Sequence, residues 1–259
     1  MTDLVDLQRD GDVATVTLNQ PAKLNAVSNA MWDRLGEIFG QLDADPSVRC
    51  IVLTGAGEKA FSVGADISEF EENRSSVEQA RAYGRRTHGA MARIAQCRHP
   101  VVAKIRGLCV GGGLELALTC DLRICGADSR FGIPVKRLGL VVAYAELKPL
   151  VDLVGPANAM EILLEGQIFG AGRAAAMGLV NRVVPDAELD GEIAATAARI
   201  AEGAPLVARW HKAFTRRLMD PAPLSPAEDD ESYQCFGTRD FQEGYRAFLA
   251  KRKPAFRGE

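Results

Sequence analysis

The chain has 259 residues, 47% of them apolar and 25% charged, with 31 Lys and Arg against 34 Asp and Glu and a formal net charge of -3. Such usage belongs to a globular protein able to bury a core without disulfides or metals, and it excludes a disordered chain. The slight acidity argues against a protein that binds nucleic acid over its whole surface, because that affinity rests on excess positive charge.

Taken in chain order, Leu4–Arg9 and Val13–Leu18 alternate polar and apolar around Gly11 and predict a β-hairpin. Ser28 reads as an N-cap, after which Met31, Leu35, Ile38, Phe39 and Leu42 recur at helical spacing. Cys50–Thr54 is a short apolar run of the kind a buried strand has, and residues 55–66 read as a Gly-bearing loop. A polar helix is predicted over Val77–Arg98, with Ala80, Tyr83, Met91 and Ile94 on one face. Further buried strands are predicted at Val101–Ile105, Leu122–Cys125 and Leu179–Val184, with a buried helix over Leu114–Leu118. Helices fill much of 145–178, and from 186 onward the chain reads almost wholly helical. Strands separated by helices imply an α/β layered core. The pattern changes near 200–205, which divides the chain into a core over 1–203 and a helical C-terminal region over 204–259.

The N-terminus is acidic and lacks an apolar h-region, so a signal peptide is not expected. No uncharged run approaches the roughly 20 residues of a membrane helix, and the expectation is a soluble cytoplasmic protein. The six cysteines include no C-x-x-C pair and several lie in apolar runs, as reduced thiols do. The three histidines are not paired at i, i+4, so no metal site is expected.

Several signatures can be set aside. Gly55-Ala56-Gly57 starts like a dinucleotide fingerprint but lacks its third glycine. Ala60-Phe61-Ser62-Val63-Gly64 is no nucleophile elbow, since position 60 is not glycine, and Ser62 reads as a loop hydroxyl. Two segments remain, Phe61–Phe70 and Gly107–Ala117, each running through glycine into a predicted helix. Unpartnered backbone N–H groups at such starts favour negative charge, and glycine lets a ligand approach them. Two of them converging on one point would form an oxyanion hole for a thioester enolate. Glu115, three residues after Gly112 and inside an apolar stretch, is placed to act as acid or base. The alternatives stay open: Gly111-Gly112-Gly113 also suits tight packing, and Glu115 also suits a helix-stabilising charge.

The order of motifs resembles the crotonase, or enoyl-CoA hydratase/isomerase, family over nearly the whole chain. The matching pieces are Leu18-Asn19-x-Pro21 with Leu24-Asn25-Ala26, Ala60-Phe61-Ser62-x-Gly64-Ala65-Asp66, Pro100-Val101-Val102-Ala103 and Gly111-Gly112-Gly113-x-Glu115-Leu116-Ala117. Cys120-Asp121, Arg130-Phe131-Gly132-x-Pro134, Ala176-x-Gly178-Leu179-Val180 and the tail around Phe248 and Lys251 follow in the same order. The resemblance implies a spiral of repeated ββα units with a helical C-terminal trimerisation region, and trimers paired into hexamers. It implies a coenzyme A thioester substrate and no permanently bound cofactor. The oxyanion donors fall on the backbone N–H groups of Ala65 and Gly112, and the first catalytic carboxylate on Glu115. Substrate and coenzyme A contacts fall on Ala22, Lys23, Leu24, Gly64, Asp66, Ile67, Gly111 and Val135, with Phe248 and Lys251 from a neighbouring subunit.

One departure matters. The family's hydratases use two glutamates, and the second falls on Val135, which can neither donate nor accept a proton. The altered loop Val142-Ala143-Tyr144-Ala145-Glu146 offers Glu146 as a replacement and Tyr144 as a donor, although a solvent-facing charge and a filler side chain are their plainer readings. His88 lies within reach on the preceding helix, where an exposed ring is the plainer reading, and Asp66 reads as a cap rather than a base. The stretch from Arg81 to Arg106 holds seven basic residues and no acid, mostly a solvated face. Hydration of a 2-enoyl-CoA is the favoured reaction. Isomerisation, decarboxylation or C–C cleavage, and non-catalytic acyl-CoA binding are the alternatives; RNA binding is disfavoured by the net charge.

Overall fold

The computed structural model describes residues 3–259. The chain opens with strands β1 (Val5–Asp10) and β2 (Val13–Leu18), paired antiparallel. Helix α1 (Asn29–Ala44) follows, and the Ser28 hydroxyl accepts from the Met31 N–H at its start. The apolar stripe of α1 is buried from Met31 to Leu42, as its 3.6-residue period requires.

Three units then repeat one pattern: a long strand, a short strand, then helix. The first comprises β3 (Cys50–Gly55), β4 (Ala60–Ser62), α2 (Phe70–Asn73) and α3 (Val77–Gln96). The second comprises β5 (Val101–Ile105), β6 (Leu108–Val110) and α4 (Gly112–Leu118). The third comprises β7 (Leu122–Gly126), β8 (Arg130–Gly132) and α5 (Tyr144–Glu165). Strand β9 (Phe169–Gly170), α6 (Ala171–Ala176), β10 (Arg182–Val184) and α7 (Leu189–Ala201) complete the layered part, and α8 (Pro205–Arg217), α9 (Pro226–Glu231) and α10 (Arg239–Leu249) follow.

The long strands form one sheet in the order β1-β2-β3-β5-β7-β10, and the short ones form a second in the order β4-β6-β8-β9. Pairing is parallel from β2 to β10 in the first sheet and from β4 to β8 in the second. Each turn of the chain thus lays one strand in each sheet, which makes the fold the spiral of ββα units that the resemblance implied. Parallel strands covered on both faces read as continuous apolar runs, as Cys50–Thr54 and Val101–Ile105 do.

The second sheet is the main departure from the sequence reading. Its strands span only two or three residues, too few to show alternation, so β4 lay inside the predicted loop 55–66. The predicted strand Leu179–Val184 narrows to β10, because Leu179 and Val180 form the buried turn leaving α6. Ala80 is exposed; the inner face of α3 is Tyr83, Thr87, Ala90, Met91 and Ile94. Helix α5 is broken at Gly155, where φ is 75°, and restarts at Pro156.

Asp121 ties the spiral to the C-terminal helices. It accepts from the Val101 N–H at 2.7 Å and pairs with Lys212 at 2.6 Å and Arg216 at 2.9 Å, both on α8. Among the described residues no helix is long and apolar enough to cross a membrane, and no group of three or more His, Cys, Asp or Glu is gathered as metal ligands.

Candidate active site

The site begins with a left-handed turn. Leu24 and Asn25 both have positive φ, 53° and 56°, a conformation Asn tolerates better than most residues. Asn25 is buried, and its side-chain amide donates to the carbonyls of Ala56 and Ala60 while its Oδ1 accepts from the Gln20 N–H. The Ser62 hydroxyl donates to the Asn25 carbonyl at 2.7 Å and accepts from the Gly64 N–H. These bonds fix the strand end that carries Gly64 and Ala65.

Ala65 pairs with Val27 in an isolated parallel bridge: the Val27 N–H donates to the Gly64 carbonyl, and the Asp66 N–H donates to Val27. Successive backbone groups point to opposite sides of an extended strand, so the Ala65 N–H faces away from Val27. It faces the start of α4. A Cβ built on Gly64 would stand 2.7 Å from the Gly112 nitrogen. One built on Gly112 would stand 3.5 Å from the Ala65 nitrogen and 3.6 Å from Glu115 Oε2. Two amide nitrogens and one carboxylate oxygen therefore converge on the space beside Gly112. Neither amide has a hydrogen-bond acceptor among the described residues. A Cβ on Gly113 would meet the Ser62 carbonyl at 2.3 Å, so the glycine there is what lets α4 lie against β4. As the sequence implied, both amides stand at helix starts: Gly112 opens α4, and Ala65 precedes a 3-10 turn at Ile67–Glu69 that runs into α2. Both helices are short, so the charge preference rests on the amides more than on a macrodipole.

The convergence point opens into a cavity of about 310 Å³. Trp32, Phe70, Tyr83, Met91 and Val142 supply much of its apolar wall, and its charged groups are Arg74, Glu115, Arg137 and Glu146. Burial pushes Glu115 up from 4.5 to about 8; the neighbouring Glu146 charge adds to the rise and Arg74 opposes it. A carboxylate held near neutrality in a cleft is a functional-site signal with a physical cause.

Glu146 is not the solvent-facing charge that the sequence favoured. Its side chain is 12% exposed, lines the cavity, stands 3.1 Å from His88 Nε2 and accepts from the Ala143 N–H. His88 is half-buried rather than exposed. Tyr144 is corrected in the opposite sense: it is 92% exposed and outside the cavity. Two residues of helix rotate a side chain by about 200°, so Glu146 turns inward where Tyr144 turns out.

The remaining candidates are spread around this centre. Val135, Ile67, Gly111 and Ala65 line the cavity. Ala22 and Lys23 are exposed and Leu24 half-buried on the turn beside it. Lys23 pairs with Asp66 at 2.6 Å, and that bond with the Ser68 hydroxyl holds the Asp66 carboxyl below its usual range. Asp66 thereby clips two loops together. Phe248, 83% exposed, and Lys251 lie outside the cavity of their own chain. Of the basic stretch, Arg86, Lys104 and Arg106 are paired with acids, whereas Arg81 and Arg85 border a shallow groove beside His88. Sequence reasoning missed Arg74 and Tyr83 as site residues. Arg74 sits in no motif, and Tyr83 read only as core.

The Enoyl-CoA hydratase/isomerase family model matches residues 8–259. The chain is 34% identical to a short-chain-enoyl-CoA hydratase of Clostridium acetobutylicum, covering 96% of this chain and 95% of that one. It is also 34% identical to a crotonyl-CoA hydratase of Syntrophomonas wolfei, with 96% of each covered. A crystal structure described as an enoyl-CoA hydratase/carnithine racemase from Magnetospirillum magneticum superposes with a TM-score of 0.98 at 51% identity, covering 100% of this chain and 97% of that one.

Proposed function

Because the chain belongs to the enoyl-CoA hydratase/isomerase family, we propose that it adds water to 2-enoyl-CoA thioesters in the cavity beside Glu115. The observation that carries this reading is the convergence of the Ala65 and Gly112 amides with Glu115 Oε2 on one apolar space. The thioester oxygen lies against the two N–H groups, where the enolate charge develops. Glu115 accepts a proton from water as the water oxygen bonds to the β-carbon, and returns that proton to the α-carbon. The double bond is lost, one water is gained, and the carboxylate is regenerated. Ala22–Leu24 and Ile67 border the coenzyme A arm. Exposed Phe241, Tyr245, Phe248 and Leu249 on α10 form an apolar face suited to a neighbouring subunit in a trimer, which would bring Phe248 and Lys251 to that arm.

The first test is crotonyl-CoA in water enriched in the heavy oxygen isotope. Loss of the conjugated thioester absorbance with heavy oxygen in a product one water heavier is the expected result. Val135 favours a second reading, isomerisation, which needs one carboxylate; conversion of a 3-enoyl-CoA without mass change, and no hydration, would establish it instead.

Glu115 must be ionised to accept the proton, so kcat/KM rises with pH up to about 8. Glu146→Gln removes the like charge that helps hold Glu115 up, and the limb should move to lower pH without reaching the ordinary glutamate range, since burial remains the larger cause. An unmoved limb would exclude electrostatic coupling between the two carboxylates.

A further inference from the structure

Two arginines on the cavity wall, half-buried Arg74 and exposed Arg137, have no task in the hydration chemistry, and of the two only Arg74 is packed against aromatic rings. The Arg74 guanidinium carbon lies 3.8 Å from the centroid of the Tyr83 ring and 4.8 Å from that of Phe70. Tyr83 is itself fixed, its hydroxyl accepting from Trp32 Nε1 at 3.3 Å. The two rings hold the guanidinium in place. Its N–H groups have no acceptor among the described residues: Arg74 forms no ion pair within 4.0 Å and donates no side-chain hydrogen bond. Arg86 is committed to Asp33 and Arg106 to Glu58 and Asp190, whereas Arg137, also on the cavity, is exposed to solvent. A half-buried cation with an unused fork of donors, held in place by aromatic rings, is a preorganised receptor for a carboxylate.

We propose that the acyl group taken by this cavity carries a second carboxylate at its far end, and that Arg74 receives it: the substrate class is a coenzyme A thioester of an unsaturated dicarboxylic acid. Arg74 belongs to the acyl end for a geometric reason. It lines the same cavity as Tyr83, Phe70, Trp32 and Glu115, close enough for its charge to act on the Glu115 carboxyl. The nucleotide phosphates of coenzyme A are held away from the thioester by the whole pantetheine arm, so they do not reach this wall. This inference rests on the hydratase reading for the orientation of the thioester and on geometry for the anion.

The test uses the intact protein and saturated, unreactive thioesters: glutaryl-CoA against butyryl-CoA, and adipyl-CoA against valeryl-CoA. Each pair differs by the terminal carboxylate. Calorimetry on the native protein should show at least one dicarboxylic member bound about 10–100-fold more tightly than its partner, the range of a charged hydrogen bond. Arg74→Met, which keeps the apolar stem, should erase that preference and leave butyryl-CoA binding within about twofold, while Arg74→Lys should restore part of it. No preference in the native protein, or one that survives Arg74→Met, overturns the proposal. So does equal weakening of both members, which would assign Arg74 to the coenzyme arm or to Glu115. Circular dichroism on the Met variant checks its fold. If that variant fails to fold, Arg74→Lys replaces it in the comparison, and a preference undiminished in Arg74→Lys overturns the proposal. Because binding is measured without turnover, loss of the hydratase reading in the crotonyl-CoA assay and loss of this one are separate results.

Discussion

Glu115→Gln should lower kcat for enoyl-CoA hydration by about 10²–10⁴-fold, the usual contribution of a positioned acid–base group. The substitution keeps shape and removes only the ability to exchange a proton, so the loss should fall on kcat far more than on KM. It should not unfold the protein. The folded-state value of Glu115 is raised from 4.5 to about 8, so across that window the native state holds a proton that the unfolded chain has released. Stability therefore falls as pH rises through the window, by up to about 1.4 kcal/mol per pH unit, and levels off above it. Glutamine has no charge to bury. The variant should match the native protein near pH 4 and exceed it near pH 8, measured as thermal midpoints at both pH values. A variant that keeps native turnover would remove Glu115 from the chemistry; one that is less stable at pH 8 would contradict the cost assigned to its burial.

Gly64→Ala should have an effect of similar size by a different route. Gly64 has φ of 91°, and a Cβ there would stand 2.7 Å from the Gly112 nitrogen, which is backbone and cannot swing aside. Strain of this kind costs about 1–3 kcal/mol. Relief by separating the two segments would pull the Ala65 and Gly112 amides out of convergence, and loss of one such donor typically costs about 10²–10³-fold in kcat. The control is Gly89→Ala on the exposed side of α3, where nothing lies within 4 Å of an added Cβ. That change should stabilise the protein by about 0.5–1 kcal/mol through helix propensity and leave turnover unchanged. Denaturant midpoints and kcat on all three proteins decide the point. Native kcat in Gly64→Ala at a fully folded concentration would show that the convergence is not needed for the reaction.

Much of this molecule is legible in its sequence because the signals are local. The α1 stripe from Met31 to Leu42, the capping hydroxyl of Ser28 and the apolar runs of β3 and β5 are all set by residues within a few positions of one another. The ordered motifs around Asn25, Ala65 and Gly112 carry the family assignment for the same reason: each glycine or asparagine meets a backbone demand at its own position.

What only the tertiary structure decided depends on contacts between distant segments. Strands β4, β6, β8 and β9 exist because three turns of the spiral bring short segments into register, and no two- or three-residue piece advertises that alone. Glu146 and Tyr144 are indistinguishable as loop residues until α5 begins at Tyr144 and sets one inward and one outward. Arg74 belongs to no motif and gains its meaning from Phe70, four residues before it, and from Tyr83 on the next helix. The upward shift of Glu115 has the same origin, since desolvation and the field of Glu146 act through space across 31 positions of chain. Backbone geometry and apolar periodicity are written along the chain, whereas burial and the field at a carboxylate are sums over everything that folds around it.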